Sequence, residues 1–596
     1  MLVLKDVLTD MAKAIVEKPD SVSVTEAAGE DGEVLLTLSV DPDDMGKVIG
    51  RHGRIAKALR TIMKAAATSV DQKVTVEIED KECSKRVFPK ALLCSLEVVM
   101  AKYLMALDQG TTGSRCILFD TAGNPVCSAA QEYTQYFPRD GWVEHDPMQI
   151  FDSQLAAAKE AMRKAEATAA DIYAIGITNQ RETITVWDKT DGKPIYRSIV
   201  WQCRRTADDC EKLKADGIEP TIKEKTGLVC DPYFSASKLR WILQNAEGAT
   251  EKAASGKLLC GTVDTWLMWK LSGGKIFATD ASNASRTMLC NIRSGDWDDD
   301  LLHLFGVPRA MLPEIKPSAG LFGYTDPSLF GGAIPITGVA GDQQAAMFGQ
   351  GCHTPGDVKN TYGTGGFLLM NIGELCVTPK SGLLTTVAWK LGDRVTYACE
   401  GSVFVCGAAV QWLRDGLGLI RTAAETETIA RSVESSGGVY VVPAFCGLGA
   451  PYWDPYARGM ICGITRGTTR AHLVRATLES MAYQTNDLLH AIETECGVKL
   501  SRLRADGGAA ANDFLLSFQS DLSALPVIRP KCIETTALGA ALLAGLGAGL
   551  FRDVAETQQS IAPDRIFEPT LAESERQALL DGWKTAVSRV TRGTLS

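Results

Sequence analysis

The chain has no stretch that reads as a membrane span. Its most apolar late segment, ALGAALLAGLGAGLF (Ala537 to Phe551), falls short of the roughly 20 residues a span needs and is interrupted by glycine. It reads as a buried helix whose small residues let neighbours approach closely. The N-terminus mixes charged and apolar residues, with no continuous apolar core of the kind a secretory leader carries. Cysteine is not scarce, at 17, but there is no C-x-x-C and no Cys/His pair at zinc spacing. These thiols read as reduced, mostly buried and cytoplasmic. The six histidines form no cluster, and none is assigned to catalysis or metal. An excess of positive charge is also missing. Sixty-two Lys and Arg face 72 Asp and Glu, for a net −10, so any nucleic-acid contact must come from a local patch. What is present is ordinary globular composition, 45% hydrophobic and 22% charged over 596 residues, enough for three or more domains.

The first 80 residues contain no Phe, Trp or Tyr, which excludes stacking of bases on aromatic rings there. LKDVLTDMAKAIV (Leu4 to Val16) has helical apolar spacing and is stopped at Lys18-Pro19-Asp20. SVSVTEA and EVLLTLSV flank Gly29-Glu30-Asp31-Gly32 as a hairpin. After the Asp41-Pro42 turn a short helix ends at Gly50. Then come Gly50-Arg51-His52-Gly53, a helix over Arg54 to Ala67, and the strand KVTVEIE. No acid lies between Met45 and Asp71, while Lys47, Arg51, Arg54, Lys57, Arg60 and Lys64 do. Arg54, Lys57 and Arg60 share one helical face, and Ile55, Leu59 and Ile62 another. Paired glycines let a backbone pass close to phosphates, with basic groups between them. A lone G-x-x-G is more often a plain loop, but the α-β-β-α-α-β order and the local charge favour function. Residues 1–80 resemble an α+β KH domain of the bacterial single-domain type. The resemblance implies single-stranded RNA binding through Gly50, Arg51, His52 and Gly53, led by backbone contacts and modest in affinity.

Residues 81–99 carry Pro89 and mixed polarity and read as a linker. Met100 stands where an independent protein could start. Beyond it, two strand–turn–strand units are rich in Gly and Thr: MALDQGTTGSRCILFD (Met105 to Asp120) and KNTYGTGGFLLMN (Lys359 to Asn371). Backbone N–H groups and Thr hydroxyls in such turns meet phosphate oxygens without a bulky side chain intervening. Asp108 is placed to order a hydrated Mg²⁺. Taken singly, each hairpin is an ordinary turn. Two of them, far apart, suggest two similar halves facing across a cleft. Between them IPITGVAGDQQAAMFGQ (Ile334 to Gln350) runs a strand into a helix at Asp342, where a simple N-cap is the bland alternative. LRADGGAAANDFLLSFQSD (Leu503 to Asp521) repeats the design, with Gly507-Gly508 letting a flat base or ribose lie on the backbone.

From about Met100 to Arg589 the chain resembles the FGGY carbohydrate kinases, and within them those that phosphorylate glycerol. The matching stretches include GWVEHDP, GITNQRET, IVWQCRRTA, GLVCDPYFSASK, GTVDTWL, NASRTML, AFCGLGAPYWDPYARG and RATLESMAYQ. The resemblance implies an α/β fold of two ribonuclease H-like (actin-like ATPase) domains around a cleft, at 100–351 and 352–596, behind the KH domain and linker. It also implies ATP and Mg²⁺, and transfer of phosphate from ATP to glycerol. By the same resemblance Arg181, Glu182, Tyr233 and Gln343 bind glycerol hydroxyls, and Trp201 and Phe367 pack on its carbons. Asp342 is the general base. Thr111, Thr112, Gly113, Arg115 and Thr364 face the phosphates, and Gly407, Gln411, Gly508 and Asn512 line the ADP portion.

A glycerol site built on hydroxyl-directed hydrogen bonds punishes analogues that lack a hydroxyl. Seen alone, Arg181-Glu182 is an ordinary ion pair, and Tyr233, Trp201 and Phe367 are core. Their joint occurrence favours function. Gly113 replaces a commoner Ser. Ala333, in SLFGGAIPI, stands where many relatives place an Arg that binds the inhibitor fructose 1,6-bisphosphate, and the phosphorylatable His of other relatives has no match. A homo-oligomer, dimer or tetramer, without membrane association, is expected. Two other readings compete. One is an FGGY kinase for another polyol or sugar, which a substrate panel separates. The other is an RNA-binding protein with a scaffold kinase, against which Asp108, Asp342 and Asn512 argue.

Overall fold

The structure is a computed structural model that describes residues 3–28, 34–44, 47–48, 54–68, 74–79 and 101–591. The tetrad Gly50–Gly53 and the linker 81–99 lie outside the described residues. The chain forms two compact units, 1–98 and 99–596.

In the N-terminal unit, helix α1 (Leu4–Lys13) buries Leu4, Leu8 and Ala12, one residue per turn on a single face. Strands β1 (Ser23–Ala28) and β2 (Val34–Ser39) pair antiparallel, and β2 pairs parallel with β3 (Val74–Glu79). Helix α2 (Arg54–Thr68) completes the layer. The core gathers Leu8, Leu36, Leu38, Leu59, Met63, Val74 and Val76. The buried ridge of α2 is Leu59, Met63 and Ala67, whereas Ile55 and Ile62 are 37% and 51% exposed. The helix is turned so that its four-residue ridge meets the sheet, which leaves Ile55 and Ile62 at the margin. Arg60 is also tied down, its Nε donating to Val76 O at 3.1 Å. Lys47 pairs with Glu17 at 2.7 Å and Asp44 at 3.0 Å.

In the second unit, a 13-stranded sheet carries a repeated pattern. Strands β4 (Tyr103–Gln109), β5 (Gly113–Asp120) and β6 (Pro125–Glu132) form an antiparallel meander. On its other edge β4 pairs parallel with β7 (Ile172–Asn179), and β7 with β9 (Pro335–Gly341), while β8 (Ala319–Tyr324) closes that half antiparallel. The second half repeats this. Strands β10 (Asp357–Tyr362), β11 (Gly366–Gly373) and β13 (Arg394–Val403) form an antiparallel set, with β12 (Leu384–Leu391), which precedes β13 in the chain, beyond it. On the far edge β10 pairs parallel with β14 (Arg502–Asp506), and β14 with β15 (Val527–Pro530), followed by antiparallel β16 (Pro563–Phe567). In chain order the first half therefore reads 3-2-1-4-6-5 and the second 3-4-2-1-5-6-7, and in both the first strand lies between an antiparallel set and two parallel strands. The halves join at β8 and β12 through Ala319 and Leu391.

Helix α3 (Asp342–Gly349), at the end of β9, and helix α4 (Thr535–Gly547) sit at the junction of the halves. The apolar segment expected to be a buried helix is α4, and among the described residues no helix is long and apolar enough to cross a membrane. Its small residues serve contact. A Cβ at Gly539 would lie 1.8 Å from Ala345 O, and one at Gly349 would lie 2.0 Å from Thr535 O. Two helix backbones touch there, which only glycine permits.

Candidate active site

The first hairpin turn, Gly110–Thr112, lies between β4 and β5. Asp108 lies partly buried near the tip of β4, and Arg115 Nη2 donates to its Oδ2 at 2.7 Å. Arg115 also reaches Glu534 at 2.6 Å, just before α4. Burial pushes the Asp108 carboxyl up, and the Arg115 guanidinium opposes this. Tyr133 holds the turn, its hydroxyl lying 2.7 Å from Gly110 O and 2.8 Å from Thr111 O. Trp201 Nε1 donates to Thr111 Oγ1 at 3.1 Å, and Trp201 meets Tyr233 edge to face at 5.5 Å. A Cβ at Gly113 would crowd Gln131 O at 3.1 Å, which gives a local reason for glycine there.

Arg181 and Glu182 occupy a sharp turn after β7, closed by Thr183 N–H to Arg181 O at 2.8 Å. Glu182 sits at φ +62°, a strained conformation for a residue with a side chain. Arg181 is buried, with Nη1 and Nη2 forked onto Glu400 at 2.7 and 3.2 Å. Its Nε lies 3.2 Å from Asp342 Oδ1. Asp342 opens α3 as its first residue rather than as its cap, since Gly341 holds the N-cap position. Its side chain is 35% exposed, so it faces open space while bound to Arg181. Two residues escaped sequence reasoning here. Arg286 Nε donates to Glu182 Oε1 at 2.6 Å, and its Nη2 to Glu400 Oε1 at 3.0 Å. Burial pushes both glutamates toward the neutral form. The two guanidiniums at Glu400 overcome this and hold it at about 2, whereas Glu182 stays raised.

The neighbouring Gln343 accepts from Lys359 Nζ on β10, which also donates to Thr361 Oγ1 at 2.8 Å. Thr361 donates to Asp506 Oδ1 at 2.6 Å, and Thr535 to the other oxygen. Lys359 is fully buried, and burial lowers its pKa. Phe367 is half-buried on β11 and pairs in register with Thr361.

The second hairpin turn opens into a cavity of about 470 Å³. Thr364, Gly407, Gln411, Gly508 and Asn512, each singled out from sequence, all line it, and Arg414 and Glu427 join them unforeseen. Gly407 lets β10 and the following turn close, since a Cβ would sit 2.6 Å from Gly363 O. Asn512 caps a helix by accepting from Leu515 N and donates to Thr426 Oγ1 at 3.1 Å. Thr111, Thr112, Gly113 and Arg115 lie on the other hairpin and do not line this cavity.

The chain matches the FGGY family of carbohydrate kinases over its N-terminal domain at residues 103–349 and its C-terminal domain at 358–548. Residues 5–78 match the KhpA/KhpB KH domain. The chain is similar to glycerol kinase of Caldanaerobacter subterraneus subsp. tengcongensis, 58% identical over 493 residues that cover 83% of this chain and 99% of the relative. Glycerol kinase 2 of Thermotoga maritima is 58% identical over 82% and 98% of the two chains. A crystal structure of Plasmodium falciparum glycerol kinase with ADP superposes with a TM-score of 0.79 at 36% identity, covering 82% of this chain and 98% of that one. A ligand-bound xylulose kinase from Lactobacillus acidophilus, at 22% identity and a TM-score of 0.75, shares the fold. With two hairpins on two like half-sheets and both family domains matched in order, the chain belongs to the FGGY family of carbohydrate kinases, with a KH domain ahead of the kinase.

Proposed function

We propose that the enzyme transfers the γ-phosphoryl group of ATP to glycerol, forming sn-glycerol 3-phosphate. The observation that carries this reading is the cluster Arg181, Glu182, Asp342 and Tyr233. It is an acceptor site with donors and acceptors held rigidly, in a chain 58% identical to glycerol kinases over nearly their whole length. Arg181 and Glu182 orient the hydroxyls, and Trp201 and Tyr233 shield the carbons. Asp342 removes the proton of the attacking hydroxyl as that oxygen bonds to the γ-phosphorus and ADP leaves. The 470 Å³ cavity suits the nucleoside, and the Gly/Thr turns suit the phosphates.

Asp108 fits magnesium. It is a hard carboxylate donor in a pocket that Asp342 and Glu534 make more acidic, and magnesium sites combine one or two carboxylates with substrate phosphates. When bound, the ion offsets phosphate charge. Fifteen cysteines among the described residues are free thiols, which suits a reducing compartment, and we place the enzyme in the cytoplasm as a homo-oligomer. The division of the kinase at 351/352 follows the gap between the matched family domains. The KH domain offers single-stranded RNA a contact through Gly50, Arg51, His52 and Gly53. The test is a panel of glycerol, xylulose, gluconate and other polyols with ATP. Glycerol is expected to have the highest kcat/KM, and turnover only of a sugar would reject the reading.

A further inference from the structure

We infer that Arg286 and Glu400 are positioning residues that set the discrimination of the acceptor site, an inference that rests on the glycerol reading above. Both are buried, Arg286 at 0% and Glu400 at 3% exposure. They close a ring of four charges with the two residues that face the acceptor. Glu400 takes both Nη atoms of Arg181 and one of Arg286, and Arg286 Nε holds Glu182.

The geometry explains why such a ring is needed. Glu182 is held at positive φ in a three-residue turn, a conformation its own chain does not favour. Its carboxylate has one close anchor, Arg286, because the neighbouring Arg181 lies farther off, at 3.7 Å from Oε1. Arg181 in turn presents only Nε to Asp342, since Glu400 occupies its terminal fork. Glu400 therefore decides which edge of Arg181 meets the acceptor, and Arg286 decides where Glu182 points. The guanidinium of Arg286 also lies 5.7 Å from the Tyr233 ring, so the same residue backs a third acceptor-facing side chain. Two cations and two anions balance in the ring, so the site keeps rigid hydrogen-bonding edges without a net buried charge. A pocket of this kind recognises hydroxyls by direction, and an acceptor that lacks one leaves a fixed polar edge unpaired.

The test uses the full chain with Glu400→Gln, which keeps shape and loses charge, and Arg286→Lys, which keeps charge and loses the fork. Steady-state kinetics are read for glycerol, for propane-1,3-diol, which lacks the middle hydroxyl, and for ATP. In either variant the KM for glycerol is expected to rise about tenfold or more, with the KM for ATP within about twofold. The preference for glycerol over propane-1,3-diol in kcat/KM is expected to fall about tenfold. An unchanged glycerol KM and preference, or equal rises in both KM values, would overturn the inference. If one variant does not accumulate as soluble protein, the other carries the same readout. Failure of the wild-type enzyme to phosphorylate glycerol would overturn the acceptor reading itself, and the wild type alone reveals that.

Discussion

The two units differ in how completely they bury the charges that matter most to them. In the N-terminal unit the described ion pairs keep their cations at the surface: Lys18 with Asp41 and Asp43, and Lys47 with Glu17 and with Asp44, the one buried member. Such pairs are screened and contribute little to stability. Its core is a small set of aliphatic residues. In the kinase unit the decisive charges are inside. Arg181, Glu182, Arg286 and Glu400 are each at most 3% exposed and hold one another at hydrogen-bond distance. A surface charge attracts a polyanion over a distance, whereas a buried, locked charge orients a small neutral acceptor.

The sharpest way to break this comparison is to remove one buried charge. Glu400→Ala leaves two guanidiniums without their shared carboxylate and is expected to destabilise the kinase unit by about 3–5 kcal/mol, read by urea unfolding. Lys47→Ala, which leaves the Asp44 carboxylate its backbone donors Glu17 N and Lys18 N, is expected to shift the unfolding curve far less. The pH dependence has a definite sign. The folded carboxyl of Glu400 is held at about 2, below its ordinary value of 4.5. Its stabilisation is complete above the ordinary value and is lost as pH falls through about 2. The stability gap between wild type and Glu400→Gln should therefore close between about pH 5 and pH 2. A gap that stays constant over that window would remove Glu400 as the charged hub.

A second substitution separates positioning from chemistry. Asp342→Asn keeps the size of the side chain and its proximity to Arg181 but removes the proton acceptor. kcat is expected to fall about 10²-fold or more at saturating glycerol, a barrier change of about 2.7 kcal/mol, with unfolding unchanged. A near wild-type kcat would exclude Asp342 as the base.

The parts of this site that were legible in sequence are local. Gly and Thr mark a strand–turn–strand within a dozen residues, and both hairpins stand where expected. Asp342 follows a short apolar strand, and α4 shows its close packing through its own glycines. The parts that were not legible are bonds between distant positions. Arg181 meets Glu400 across 219 residues and Arg286 meets Glu400 across 114, and no spacing rule connects them. Arg286 lies within a stretch that matches the family, yet the stretch alone gives it no partner. In α2 a different ambiguity operated. Ile55, Leu59 and Ile62 satisfy helical periodicity, but so do Leu59, Met63 and Ala67, and only the position of the sheet selects the second set.

The surface-charge half of the comparison is tested at the tetrad. Arg51→Asp with His52→Asp sets two anions between Gly50 and Gly53. Binding of single-stranded RNA by the full chain is expected to fall at least about tenfold in fluorescence polarisation, because like charges then meet the phosphates. Kinase kcat should not change. RNA affinity equal to wild type would place the contact elsewhere.

The smallest expected effect is the most informative about how the units relate. If charges in the N-terminal unit serve a partner and those in the kinase unit serve the acceptor, each unit carries its own function. Each also carries its own core: the aliphatic cluster of the first unit lies wholly before residue 80, and every residue of the acceptor ring and the nucleotide cavity lies after residue 100. The intervening segment has the proline and mixed polarity of a connector. A fragment from Met100 to Ser596 should therefore fold alone. Its kcat and glycerol KM should match the full chain within about threefold, a difference under about 0.7 kcal/mol. Saturating single-stranded RNA should leave the full-length rate unchanged, since coupling requires an element that both sites bias. Steady-state kinetics of both chains, with and without RNA, decide the matter. An insoluble or much slower fragment would show that the KH unit supports the kinase fold. A rate that responds to RNA only in the full chain would replace two independent units with one regulated enzyme.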